Sequence, residues 1–393
     1  MRTALISLAG QPRTAAGDAP LVLAGKTLAR RQLDFAIAAG CEAVIALGDG
    51  GSAEAIALRH AAEAEGLRFQ AIRDSHGLLG VIPADDDLLV LAPGLLPEAP
   101  EAIEALMKGR RVLVLSAGPA VSAGFERIDL NRAWAGVLVV GRAQVERLAD
   151  LPVDVVPSSA LLRVALQANV RETPLPEDVL VEGSWKMFGD RADPVASDAN
   201  WLKRHVPATS PFAPTQWLGG VALRAAAGRL LSAPHATSAL MLATLAVLAV
   251  SVLAALYGVS WLGFTLVAVA ALLAQGVAGL VHLRTAPFGA HGRWERLHAL
   301  LPWLVDAALL ACAVLAIEGT WLHRLFPPLV MLGMLRAIRP ETRRDWAALI
   351  GDRGLLALGL ALAAVFGFVE PAVMLVSLLL LALNLARSGA RSG

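Results

Sequence analysis

Residues 237–283 read TSALMLATLAVLAVSVLAALYGVSWLGFTLVAVAALLAQGVAGLVHL and contain no Asp, Glu, Lys or Arg. Crossing a bilayer takes about 20 apolar residues per helix. The stretches 237–257 and 260–283 therefore predict two transmembrane helices joined by a short turn. Four further apolar runs follow at 299–318, 322–338, 354–369 and 371–387, which extends the expectation to an all-α six-helix transmembrane bundle over 235–393. The fourth run is interrupted by Pro327 and Pro328, a break that neighbouring helices or water must satisfy.

Basic residues set the expected orientation. Arg224 and Arg229 precede the first run, and Arg284, Arg293 and Arg296 separate the second from the third. Arg336, Arg339, Arg343 and Arg344 separate the fourth from the fifth, and Arg387 and Arg391 follow the sixth. The intervening loops YGVSW, IEGTWLHR and FVEP hold only Arg324. Such a bias marks the cytoplasmic side. It predicts a multi-pass protein of a bacterial-type inner (cytoplasmic) membrane with both termini in the cytoplasm. Residues 217–234 alternate apolar residues with arginine at helical spacing. They predict an amphipathic interfacial helix with Arg224 and Arg229 toward lipid phosphate, the alternative being a linker helix packed on the bundle.

The N-terminal half has a different texture. Of 393 residues, 56% are hydrophobic and 17% charged, and most of the acids fall before residue 210. RTALISLAG, EAVIALG, DDLLVLAPG, RRVLVLS and AGVLVVG read as strands, alternating with helical stretches such as SAEAIALRHAAEAEG. This alternation predicts an α/β, Rossmann-like domain with a mostly parallel sheet over 1–170, followed by a linker at 171–216. Ligands of such sheets bind beyond the carboxyl ends of the strands, here the loops 9–18, 48–52 and 92–97. Ala9, Gly10, Arg13 and Lys26 are the candidate phosphate-binding residues of the first of these loops and the G-K turn after it. The alternative is a solvated turn with surface basic residues.

Net charge is +1, with no basic tract interleaved with aromatic residues, so no nucleic-acid partner is expected. Cys41 and Cys312 fall in different domains and read as small buried hydrophobes. MRTALISLAG has too short an apolar run for a signal peptide.

The order strand, AG…R loop, PLVLAGKTL, helix, AGCEAVIAL resembles the opening of the sugar-phosphate nucleotidyltransferases, with Ala9, Gly10, Arg13, Gly25 and Lys26 at matching positions. Leu21 stands where that family carries a lysine. Pro93-Gly94 stands where it carries Gly-Asp, the aspartate binding metal. Asp85, Asp86 and Asp87 lie at the opposite end of the same strand, and Asp129 is the best remaining acid.

The C-terminal half resembles the CDP-alcohol phosphotransferases, whose signature is D-x-x-D-G-x-x-A-R-x8-G-x3-D-x3-D. QGVAGLVHLRTAPFG (275–289) keeps the frame, with Gly276, Gly279 and Gly289 at the small-residue positions. The four aspartates become Leu272, Gln275, Arg293 and Leu297, and the arginine becomes Leu280. Hard cations need oxygen-rich, negative ligation, so no metal site is expected there. The resemblance to fused nucleotidyltransferase and phosphotransferase enzymes implies a role in phospholipid or sphingolipid headgroup metabolism. The missing acids imply a degenerate form that binds a membrane lipid or nucleotide-linked alcohol through Gln275, Arg284, Arg293 and Arg296, helped by His282, His291 and His298, the alternative being a basic loop that serves topology alone.

Such a protein would act as a homodimer or by assisting an active partner transferase, with no cofactor. Two alternatives stand beside it. One is an active phosphotransferase using Mg²⁺ or Mn²⁺ with acids drawn from Glu295 and Asp306. The other is a transporter subunit with a cytoplasmic regulatory domain. Asp306 lies inside the third apolar run, where an unpaired carboxylate costs about 3 kcal/mol or more, so it should face the bundle interior.

Overall fold

A computed structural model describes the chain except for residues 15–18, 153–154, 190, 207–211, 234, 289–296, 338–348, 350 and 390–393, and the side chains of 191–192 and 386–389. The chain divides into two compact units, Met1–Trp201 and Leu202–Gly393.

The first unit is built on a seven-stranded sheet of β1 (Arg2–Ser7), β2 (Ala43–Leu47), β3 (Arg68–Ile72), β4 (Asp87–Leu91), β5 (Arg111–Ser116), β6 (Arg132–Gly141) and β7 (Glu172–Pro174). Their spatial order is β7-β5-β6-β4-β1-β2-β3. Every neighbouring pair is parallel except those made by β6, which runs antiparallel to β4 and to β5. The strands carry continuous apolar runs because both faces are covered. Ala4 to Ile6, Leu88 to Leu91 and Val137 to Val140 are all buried. Helix α1 (Leu28–Ala38) is started by Thr27, whose side chain accepts the N–H of Arg30. Helix α2 (Ala53–Ala64) is started in the same way by Ser52.

The chain moves outward from β1 through β2 to β3, then returns to place β4 on the other side of β1. The topological switch point therefore lies between β1 and β4, and the loops after these two strands flank the crevice where ligands of open α/β sheets bind.

The first unit extends past the expected boundary at residue 170. β7 adds an edge to the sheet, Trp185–Met187 pairs antiparallel with Leu95–Pro97, and Trp201 is buried. Residues 171–201, expected as linker, are thus held by long-range pairing that local irregularity hides. Helices α3 (Pro100–Leu106) and α4 (Pro157–Gln167) belong to this unit, as does α5 (Pro194–His205) up to Trp201.

The second unit is helical: α6 (Pro214–Ser232), α7 (Ala236–Leu256), α8 (Ser260–Thr285), α9 (Leu301–Ala316), α10 (Trp321–Ala337), α11 (Arg353–Val365) and α12 (Val369–Gly389). Helix α8 packs against α6, α7, α9 and α11. Phe264, Val267, Leu309, Cys312, Met331 and Leu360 form the core.

Among the described residues two helices, α7 and α8, are long and apolar enough to cross a membrane. At 1.5 Å per residue, 21 residues of α7 reach roughly 31 Å, the thickness of the hydrocarbon layer. Only 28% of the most apolar window of α7 is buried, so the described chain leaves most of this apolar surface uncovered. The expectation of six spans is corrected to these two. Leu301–Ala316, Arg353–Val365 and Val369–Leu385 are apolar but shorter, and α10 carries Pro327 and Pro328 inside it.

Candidate functional site

In the first unit the loops flanking the switch point are sewn together by two amides. Gln11, 5% exposed, donates from Nε2 to the carbonyl of Ser7 at 2.8 Å and to Oε1 of Gln32 at 3.1 Å. Its Oε1 accepts the Gly94 N–H at 3.1 Å. Gln32, fully buried on α1, donates to the carbonyls of Ala92 and Leu95, both at 2.9 Å. The crevice between β1 and β4 is therefore closed by the chain's own polar groups, each satisfied.

Ala9 and Gly10 form the exposed lip of this crevice, with Gly10 in a left-handed conformation against Pro93. The two basic candidates are engaged elsewhere. Lys26 Nζ donates to Asp34 Oδ2 at 2.6 Å, and Arg13 lies 3.7 Å from Glu54. Burial pulls the Lys26 ammonium below its usual range despite Asp34, and burial likewise raises the Glu54 carboxyl despite Arg13.

The acids near the sheet have structural partners. Asp86 accepts from the N-terminal ammonium at 2.9 Å and Asp87 from Arg110 at 2.7 Å. Asp129 closes a turn, accepting the backbone N–H groups of Asn131 and Arg132 and the guanidinium of Arg132, which together hold its carboxyl down at about 2. Asp49, on the loop after β2, is an exposed acid at the carboxyl edge that the sequence reading passed over, and its Oδ1 accepts the Gly51 N–H at 3.0 Å.

In the second unit, α8, α9, the turn before α9 and the start of α11 line a half-open cavity of about 260 Å³. Gln275 and the small residues Ala271, Ala274 and Ala278 form one wall, while His298 and Arg353 supply the basic groups. Asp306 is buried beside it and faces the interior, as its position in an apolar helix requires. Arg336 reaches its Oδ2 with Nε at 2.8 Å and Nη2 at 2.7 Å, and Arg353 Nε reaches its Oδ1 at 3.4 Å. Arg336 also stacks over Trp303, 3.3 Å from the ring centroid. Among the described residues, one carboxylate thus faces two guanidinium groups beside this pocket.

Of the residues picked from sequence, Gln275 and His298 line this cavity and Asp306 adjoins it. Arg284 does not: its Nη2 donates to the carbonyls of Leu230 and Ala233 at 3.0 and 2.5 Å and so closes the C-terminus of α6. Gly279 and Gly276 serve helix packing. A Cβ on Gly279 would lie 2.5 Å from Leu223 Cδ2 on α6, and one on Gly276 would lie 3.4 Å from Leu240 Cδ2 on α7. Small residues let apolar helices approach closely. Gly289, His291, Arg293, Glu295 and Arg296 lie outside the described residues.

Arg353 and Asp352 were missed by sequence reading. Both sit at the edge of an apolar run, where an arginine reads as a topology signal and an aspartate as a helix cap. Among the described residues, no three His, Cys, Asp or Glu side chains are grouped so as to hold a metal ion.

The face of α6 also bears on the expected interfacial helix. Gly219, Gly220, Leu223, Ala227 and Leu231 are buried, in keeping with a packed linker helix. Trp217, Leu218 and Val221 are exposed on the remaining surface together with Arg224 and Arg229. No family model matches the chain, and no curated protein matches it.

Proposed function

We propose that this is a multi-pass membrane protein of phospholipid or sphingolipid headgroup metabolism, a catalytically degenerate relative of CDP-alcohol phosphotransferases carrying a nucleotidyltransferase-like α/β domain. In this reading α7 and α8 cross the membrane and both termini are cytoplasmic. The helical unit binds a phosphate-bearing headgroup or a nucleotide-linked alcohol and assists a partner transferase.

The observation that carries this reading is the basic lining of the 260 Å³ pocket, where Arg353 and His298 stand with Gln275 and Arg353 shares Asp306 with Arg336. A phosphate oxyanion is the natural complement of two arginines and one carboxylate, through charge-assisted hydrogen bonds. Asp306 is committed to these two arginines, which weakens the alternative that it serves as a metal-binding acid. The exposed leucines and valines of α7, α11 and α12 favour lipid as the surrounding medium.

The test is calorimetric titration of the detergent-purified protein with CDP and with CTP, with and without Mg²⁺, alongside Arg353→Gln. Binding that ignores Mg²⁺ and weakens at least tenfold in the variant is expected, since a charge-assisted bond contributes about 1.5–3 kcal/mol. Binding that requires Mg²⁺ would replace this reading with the active transferase.

A further inference from the structure

The PLVLAGKT segment folds as a two-residue hairpin, Val22–Leu23 pairing antiparallel with Lys26–Thr27. Its tip residues Ala24 and Gly25 both have positive φ, +48° and +77°. Gly25 adopts that conformation without strain, whereas Ala24 does so at a cost of about 1–2 kcal/mol. A tight turn can present a backbone N–H to an anion, and here the Ala24 N–H is so used. Lys26 and Arg30 flank the turn and share the carboxylate of Asp34, at 2.6 and 3.0 Å, while Arg30 also reaches Glu65 at 3.7 Å.

An anion already occupies the turn, and it comes from the same chain. Asp198 on α5 accepts the Ala24 N–H through Oδ1 at 2.5 Å. One turn further along α5, Trp201 is 1% exposed. Its Nε1 donates to Glu98 Oε1 at 2.6 Å, and its ring lies 4.1 Å from the guanidinium carbon of Arg31. Arg31 pairs with Glu98 at 3.2 Å and donates to the carbonyl of Leu23 at 2.6 Å, in the same hairpin. The two contacts of α5 differ in kind. Trp201 seals a buried ion pair that would be costly to uncover. Asp198 is only half-buried, so its carboxylate can return to water at little cost.

We propose that the Ala24–Gly25 turn is a phosphate-binding site closed by Asp198, and that α5 is a strap whose N-terminal half lifts when a phosphate group takes the Ala24 N–H. Trp201 stays seated and acts as the pivot. This site belongs to the α/β unit and does not rest on the headgroup pocket of the helical unit.

The test uses the full-length protein in detergent with pyrophosphate as the probe, reading hydrogen–deuterium exchange across 194–205 together with calorimetry. Pyrophosphate should speed exchange at Val195 to Ala199 and leave the Trp201 end protected. Asp198→Ala should show that faster exchange without ligand and bind pyrophosphate more tightly, on the order of tenfold, because the competing closed state is gone. Asp198→Asn, which keeps an acceptor without the charge, should fall between. The same responses should persist in Arg353→Gln protein, which separates this site from the helical one. Equal affinity in wild-type and Asp198→Ala protein, or pyrophosphate binding that leaves the exchange of α5 unchanged, overturns the proposal.

Discussion

At Gly94 a side chain has nowhere to go. Its φ is +79°, and an added Cβ would lie 2.5 Å from the carbonyl oxygen of Phe188. Its N–H is held by Gln11, and its carbonyl accepts the N–H of Phe188 at 2.9 Å. This is the position where the nucleotidyltransferase resemblance would place a metal-binding aspartate. Gly94→Asp is expected to lower the stability of the α/β unit by about 3 kcal/mol, from left-handed strain plus overpacking, and to produce no metal-dependent nucleotidyl transfer. Cys41 supplies the measurement. Burial pushes its thiol up to about 12, so alkylation at neutral pH reports opening of the unit rather than native reactivity. Site-resolved labelling of Cys41 in a denaturant series should show an earlier midpoint in the variant. An unchanged midpoint would mean that the loop relaxes around the new side chain.

Among the helices, one carboxylate joins two N-termini. Asp352 Oδ2 accepts the Thr215 N–H of α6 at 2.8 Å, while its Oδ1 accepts the N–H groups of Gly354 and Leu355 at the start of α11, at 3.0 and 3.1 Å. Capping satisfies donors that a helix leaves unpaired at its start, and the negative charge complements both helix dipoles. Gly354 must stay bare here because Thr215 lies against its Cα. Asp352→Ala is expected to cost about 2–3 kcal/mol, more than a single cap, because the residue is 3% exposed and three donors, that of buried Gly354 among them, lose their acceptor. Thermal unfolding in detergent measures this. Asp352→Asn should recover part of the loss, since its amide oxygen still accepts. A midpoint equal to wild type in the alanine variant would show that water replaces the carboxylate.

Across the whole molecule, the charged residues and the continuous apolar runs are segregated into different halves of the chain, and the units follow that division. The outward faces of α7, α11 and α12 carry Leu242, Val250, Leu253, Leu358, Leu362, Leu375 and Leu378. In water these would form an apolar surface far larger than soluble monomers expose, whereas in lipid they need no cover. The protein is therefore expected to remain in the membrane pellet after alkaline carbonate washing and to be released by detergent. Recovery in the carbonate supernatant would remove the membrane reading of α7 and α8 together with the function built on it.

Much of the fold was legible before any tertiary contact was known. The apolar runs of β1, β2, β4, β5 and β6, the glycine-bounded loops between them and the spans α7 and α8 follow from local composition and periodicity, which nearest neighbours along the chain carry. Asp306 facing inward was legible too, because an apolar helix leaves a carboxylate few alternatives. The partners were not legible. Arg336 reads as a topology signal and Arg353 drew no reading at all, yet the fold brings both to Asp306 across sequence separations of 30 and 47 residues. Gly279 reads as part of a ligand frame, yet it receives Leu223; Lys26 reads as a phosphate ligand, yet it is held by Asp34. Which segments are strands, which are apolar helices and where charge is scarce depend on each residue's own side chain and its near neighbours, so chain order carries them. Which charges meet, which glycines are packing sites and where Asp198 binds depend on distances set by folding, which chain order does not specify.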